Sequence, residues 1–248
     1  MSQPKRYLLT GASSGIGEEL ARQLAARGYD LVLAARRVDH LQRQAAELGA
    51  RYGRRLVALP LDVTDFGAAQ AIVGQAADAL GGLDGVIANA GIAMVGKVGS
   101  GHFDNDRRVI DTNLTGCIAT LDAATRLFLA QGHGHLVALA SVAGKVGLPG
   151  SAGYSASKFG LVGYMQTLAA EVSARGLQTT LLLPGFIDTP INRGMEKRPF
   201  VIDVERGAAL IAGHIASKRS CAYVPGWPWA VLAPLLALLP PRLIGRYF

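Results

Sequence analysis

The chain has 248 residues, half of them hydrophobic and 17% charged, a balance that supports one large core and excludes a disordered polypeptide. Its formal charge of +7 does not mark a nucleic-acid binder: Arg36, Arg37, Arg51, Arg54, Arg55, Arg107, Arg108 and Arg126 are scattered and sit in no recognised binding motif. With only Cys117 and Cys221 there is no disulfide framework, so a reducing, cytoplasmic setting is expected. The segment from Met1 to Thr10 is too short for a signal peptide, and export is not expected.

Short apolar runs at 6–10, 30–35, 56–61, 85–88, 135–140 and 178–183 read as strands. They are continuous rather than alternating, as in strands buried on both faces of a parallel sheet. After the first run comes Thr10-Gly11-Ala12-Ser13-Ser14-Gly15-Ile16-Gly17. Glycines between a strand and a helix let a phosphate approach bare backbone N–H groups at the helix N-terminus. Ile16, Leu20 and Leu24 then fall four apart on one helix face, with Gly28 as the stop. The second run ends at Ala35, where a carboxylate would hold the adenine-ribose hydroxyls of NAD. Arg36 and Arg37 follow instead, and a guanidinium suits a 2′-phosphate; the alternative for both arginines is a solvated helix face. A second helix is predicted over 38–52.

Asn89-Ala90-Gly91 closes the fourth run. Asp111-Thr112-Asn113-Leu114 opens an apolar helix, where a buried amide needs a partner. Ser141 closes the fifth run, at the carboxyl edge where open α/β sheets hold their sites. Tyr154-Ser155-Ala156-Ser157-Lys158 precedes a helical pattern over 159–174, and a spacing of four puts Tyr154 and Lys158 on one side. Repeated strand–helix–strand order predicts an α/β fold, a Rossmann-like doubly wound parallel sheet with helices on both faces. One nucleotide-binding domain over 1–248 is expected, with 190–248 as its variable part.

Taken together, these motifs resemble the short-chain dehydrogenase/reductase family, in its compact single-domain branch of about seven strands. The resemblance covers residues 5–190, with the motifs in the family's order. It implies a catalytic tetrad of Asn113, Ser141, Tyr154 and Lys158, the last two also touching the cofactor. A phosphate loop is implied of Gly11, Ser13, Ser14, Gly15, Ile16 and Gly17. Adenine contacts fall on Asp62 and Val63, and further cofactor contacts on Asn89, Ala90 and Gly91. Pro184, Gly185, Ile187 and Thr189 match the segment that holds the nicotinamide carboxamide, and Arg36 a position used by NADP-preferring members. Ala88 departs from the more usual asparagine.

The implied activity is NADP(H)-dependent hydride transfer between nicotinamide and a carbonyl or secondary alcohol, without a metal. Tyr154 acts as general acid/base with its pKa lowered by Lys158 and the nicotinamide charge; Ser141 holds the substrate oxygen, and Asn113 orders a water. A catalytically silent NADPH-binding sensor or scaffold is the alternative from another class. A sugar-nucleotide epimerase would need a longer C-terminal substrate domain. Relatives are dimers or tetramers, so a homodimer or homotetramer is expected.

Past Thr189 the resemblance thins into a substrate lid with apolar members. Tyr223-Val224-Pro225-Gly226-Trp227-Pro228-Trp229 and the apolar run after it are too short and proline-broken to span a bilayer. An apolar arm over the chain's own cleft or a subunit interface is one reading. Peripheral membrane contact, with Arg242 and Arg246 beyond the tryptophans, is the other. His133-Gly134-His135 reads as a surface turn and Cys117 as small buried packing. Asp104, Asp106, Arg107 and Arg108 read as a solvated helix face.

Overall fold

The computed structural model describes residues 4–195, 197–240 and 242–244; Arg246 lies outside them. Seven parallel strands form one sheet in the order β3-β2-β1-β4-β5-β6-β7. These are β1 (Arg6–Thr10), β2 (Asp30–Ala35), β3 (Leu56–Pro60), β4 (Gly85–Ala88), β5 (Gly134–Leu139), β6 (Leu177–Pro184) and β7 (Cys221–Val224). The first six match the apolar runs to within a residue or two. The seventh falls partly on Tyr223-Val224, which the sequence reading had grouped with the apolar arm.

Continuous hydrophobicity in these strands serves two cores. Along β1, Leu8 joins one apolar cluster while Tyr7 and Leu9 join the other; along β4, Val86 and Ala88 face one side and Ile87 the other. Helices α3 (Phe66–Leu80), α5 (Gly116–Gln131) and α6 (Ala152–Val172) cover the first face. Helices α1 (Gly15–Ala26), α2 (Val38–Tyr52) and α7 (Val204–Ala216) cover the second. In α1, Leu20 and Leu24 are fully buried and Ile16 is half-buried, as an amphipathic face requires. The strand order reverses between β1 and β4, and at such a switch point the connections diverge to leave a crevice beyond the strand ends.

Two local readings are corrected. Gly134 is not a turn but already begins β5, and His135, which the 135–140 run placed in the strand, is not at the surface but 1% exposed. Its Nδ1 lies 2.9 Å from the Tyr7 hydroxyl and its Nε2 2.7 Å from Thr180 Oγ1. The Tyr7 ring reaches it across β4, where a Cβ on Gly85 would stand 2.2 Å from the ring. Burial pushes the His135 pKa down to about 4, so the imidazole is neutral. The apolar pattern after residue 110 also does not begin a new helix. It continues α4 (Phe103–Ile110) through a π-helical turn, Asp111–Thr115, into α5.

Candidate active site

The carboxyl ends of β1, β2, β4, β5 and β6 open into a cleft of 680 Å³, within the range of small-molecule and cofactor sites. Of the residues singled out in the sequence, all but Asn113 line it. They are Gly11, Ser13–Gly17, Arg36, Arg37, Asp62, Val63, Asn89–Gly91, Ser141, Tyr154, Lys158, Pro184, Gly185, Ile187 and Thr189.

At one end the wall is backbone. Gly11 adopts φ +67°, and a Cβ there would lie 2.7 Å from Ala90 Cα. A Cβ on Gly17 would meet the Gly11 carbonyl at 2.2 Å. Only glycine fits either position. Thr10 and Asn89 lock β1 to β4 beneath this loop: Asn89 and Ala90 N–H donate to Thr10 Oγ1, and Asn89 Nδ2 donates to the Thr10 carbonyl at 2.9 Å. Ser14, the residue before α1, makes no side-chain capping bond. The first N–H groups of α1 therefore face the cleft with no side-chain acceptor from Ser14, which suits an anion. Arg36 stands exposed at the rim. Arg37 folds back on the loop, its Nη2 donating to the Ser13 carbonyl at 2.7 Å and to Ser13 Oγ at 3.2 Å. The Asp62 carboxyl is held below its usual range, chiefly by the Thr64 N–H, with Arg36 contributing.

The other end is built of side chains. Tyr154 and Lys158 occupy the first two turns of α6, which starts earlier than the 159–174 pattern predicted. Lys158 Nζ donates to the Leu139 carbonyl at 2.9 Å and lies 5.7 Å from the Tyr154 ring centroid. Burial depresses the Lys158 pKa to about 8, so the amine still carries its proton at neutral pH. Burial also raises the Tyr154 phenol, with Ser141 beside it pulling the other way. The expected lowering by Lys158 together with the nicotinamide charge belongs to the cofactor-bound cleft. Ser141 Oγ donates to the Pro184 carbonyl at 3.3 Å and accepts from Ala143 N–H at 3.1 Å, joining the ends of β5 and β6.

Asn113 is 1% exposed and sits in the π turn, a distortion frequent at functional sites. Its amide binds the Ile92 backbone twice, accepting N–H and donating to C=O at 2.8 Å each, and Nδ2 reaches Ser157 Oγ at 3.3 Å. It pins the segment after β4 to α6. Asp106, assigned by sequence to a solvated face, accepts from the Gly153 N–H at 3.0 Å. It thereby caps α6 one residue before Tyr154, where Ser151 makes no side-chain cap. Arg108 and Asp111 of the same segment line the cleft. Nothing in a solvated charge pattern distinguishes these contacts, because they depend on α4 packing against α6.

The residues fit a dinucleotide. The Thr189 hydroxyl is buried with no partner, in the segment that the sequence resemblance assigns to the nicotinamide carboxamide, and the glycine loop leaves room at its backbone where a Cβ would clash. Among the described residues there is no cluster of side chains suited to a metal.

Comparison with known proteins agrees with this geometry. The sequence profile described as short chain dehydrogenase matches residues 5–199. An uncharacterised oxidoreductase of Mycobacterium tuberculosis is 38% identical over 245 residues, 98% of this chain and 97% of that protein. The solved alcohol dehydrogenase of Thermococcus sibiricus, complexed with 5-hydroxy-NADP, superposes with a TM-score of 0.81 at 26% identity, covering 90% of this chain and 96% of that one. A short chain dehydrogenase/reductase of Burkholderia phymatum in complex with NAD gives 0.83 at 26% identity, covering 93% and 91%.

Proposed function

The chain belongs to the short-chain dehydrogenase family, and on that premise we propose that it transfers hydride between NADP(H) and the carbonyl or secondary alcohol of a hydrophobic small molecule. The observation that carries this reading is the meeting of Ser141, Tyr154 and Lys158 with the glycine seat in one cleft. When bound, the nicotinamide supplies or accepts the hydride.

Gly11–Gly17 would hold the pyrophosphate, Asp62 and Val63 the adenine, and Thr189 with Pro184, Gly185 and Ile187 the carboxamide. Ser141 Oγ hydrogen-bonds the substrate oxygen as charge develops on it. Tyr154 Oη gives that oxygen a proton in reduction and takes it in oxidation. An ordinary phenol ionises near pH ~10, and burial raises it further here. Positive charge must therefore favour the phenolate during turnover. Lys158 Nζ provides it from within the same dry wall, while also gripping the nicotinamide ribose.

Arg36 at the rim and Arg37 against Ser13 support a 2′-phosphate and so NADP over NAD. Each charge-assisted bond is worth about 1.5–3 kcal/mol. Pro190 and Ile191, apolar members of the segment after Thr189 that line the cleft, support a hydrophobic substrate. A catalytically silent NADPH sensor is not favoured, since every catalytic position is filled.

α8 (Gly226–Ala237) exposes Trp227, Val231 and Leu235, with Leu238 beyond it. This exposed apolar face, next to the edge strand β7 in the chain, supports association with a second copy, as a homodimer or homotetramer. Among the described residues no helix is long and apolar enough to cross a membrane. Co-sedimentation with liposomes, lost on deleting 227–248, would assign the face to a membrane instead.

The functional test is consumption of NADPH and of NADH across a panel of aliphatic and aromatic ketones, for the wild type and Arg36→Ala. Turnover with NADPH preferred, and a preference at least tenfold smaller in Arg36→Ala, supports the reading. No turnover with any ketone or the matching alcohols overturns it, and an unchanged preference removes Arg36 from the cofactor site.

A further inference from the structure

We infer that Trp229, on the C-terminal helix α8, is a positioning residue for the nicotinamide end of the cleft. The inference rests on the functional reading of residues 184–189. The indole is 2% exposed, in the stretch whose sequence reads as an apolar arm over the chain's own cleft or an interface, or as a membrane contact. What it packs against gives it a role. A Cβ on Gly185 would stand 2.1 Å from Trp229 Nε1 and 2.5 Å from Cε2. The indole therefore occupies the volume of the side chain that residue 185 lacks. Gly185 is accordingly glycine for contact with Trp229 on the face away from the cleft, while its backbone lines the cleft itself.

Two further contacts extend this support. Val142 and Phe186 share the buried cluster of Trp229, with the Phe186 and Trp229 ring centroids 6.1 Å apart. Each follows a cleft residue directly, Val142 after Ser141 and Phe186 after Gly185. In front of the cluster, Ser141 Oγ donates to the Pro184 carbonyl at 3.3 Å. Gly185 N–H also donates to the Val224 carbonyl at 2.9 Å, at the end of the strand leading into α8. One rigid ring thus backs both the hydroxyl that would hold the substrate oxygen and the backbone that would hold the carboxamide. Its Nε1 is buried without a partner, a cost that a phenylalanine would not carry. The shape of the indole, not its hydrogen bond, is what the site uses. Displacing the reacting groups by about 1 Å costs on the order of 10²-fold in rate, so support at this distance acts on catalysis without touching a ligand.

The chain has two tryptophans, so Trp227→Phe leaves Trp229 as the sole reporter. That variant is titrated with NADP+ and, separately, with adenosine 2′,5′-bisphosphate, which lacks the nicotinamide half. Binding is measured in parallel by calorimetry. NADP+ should shift the Trp229 emission maximum while the bisphosphate leaves it in place. A tryptophan that merely fills the core would respond to both ligands alike or to neither. With any ketone the enzyme accepts, Trp229→Leu should lower kcat by about tenfold or more with bisphosphate affinity unchanged, and Trp229→Phe should restore most of the rate.

Equal emission responses to two ligands that both bind overturn the inference, as does an undiminished kcat in Trp229→Leu. If Trp229→Leu does not fold, the emission titration decides alone. Absence of NADP+ and NAD+ binding in calorimetry is a different failure: it removes the functional reading first, and this inference with it.

Discussion

The two ends of the cleft are made in different ways. The end proposed for the phosphates is mainly backbone, drawn from the stretch between β1 and α1, and its constraint is steric: a Cβ on Gly11 or Gly17 would strike neighbouring backbone. The end proposed for the nicotinamide is side chains and backbone from separate places: Ser141 after β5, Tyr154 and Lys158 on α6, Gly185 and Thr189 after β6, and Trp229 against Gly185 on α8. Its selectivity is electrostatic, with an ammonium and a phenol held in a buried wall. A seat built from local backbone survives variation elsewhere in the chain. A constellation built from several segments depends on every packing contact that brings them together.

That contrast can be tested, starting with the largest expected effect. Tyr154→Phe should lower kcat by roughly 10²–10⁴-fold, the usual span of general acid–base catalysis, while calorimetry finds NADP+ affinity nearly unchanged. Substantial turnover in this variant would remove the chemistry from α6.

Next comes the buried amine. Its folded pKa of about 8 lies below the ordinary 10.5, so between these values the unfolded chain binds more protons than the folded one. Stability should therefore rise with pH over that window, by up to about 3 kcal/mol. In Lys158→Met, urea titrations at pH 7.5 and 9.5 should show that rise diminished. An identical pH response in both proteins would contradict a desolvated charge.

At the opposite end, Gly17→Ala should cost about 1–3 kcal/mol of stability by overpacking. It should weaken NADP+ and NAD+ by the same factor, since both share the pyrophosphate; a changed ratio would separate the glycine seat from the phosphates. Smallest is Asp106→Ala, which removes the cap of α6. It should cost about 1 kcal/mol, or roughly 2–4 °C in Tm, with Asp106→Asn restoring most of it by keeping an acceptor. Equal Tm values for all three proteins would show that the cap bond is not maintained in solution.

Much of this was legible in the residues. The six apolar runs locate six of seven strands because the inner strands are buried on both faces and so mainly apolar, and even the edge strand β3 is half-buried. The glycine loop, Ser141 and the Tyr154–Lys158 spacing are local patterns with local causes. β7 was hidden because Cys221–Val224 is only four residues long and merges in sequence with the apolar run after it. His135 was misread because a neutral buried imidazole needs partners that come from β1 and β6. Asp106 looked like surface charge until α4 lay against α6.

The sequence by itself determined the alternation of strands and helices, the glycine loop after β1 and the Tyr154–Lys158 spacing that the proposed acid–base pair rests on, since each rests on periodicity or on residues close together in the chain. Tertiary structure alone decided that Asn113 pins the segment after β4 from within a π turn, that Asp106 caps the catalytic helix, and that Trp229 stands behind Gly185. These contacts join residues dozens of positions apart, and only the packed sheet and its helices bring such partners within reach of short-range forces.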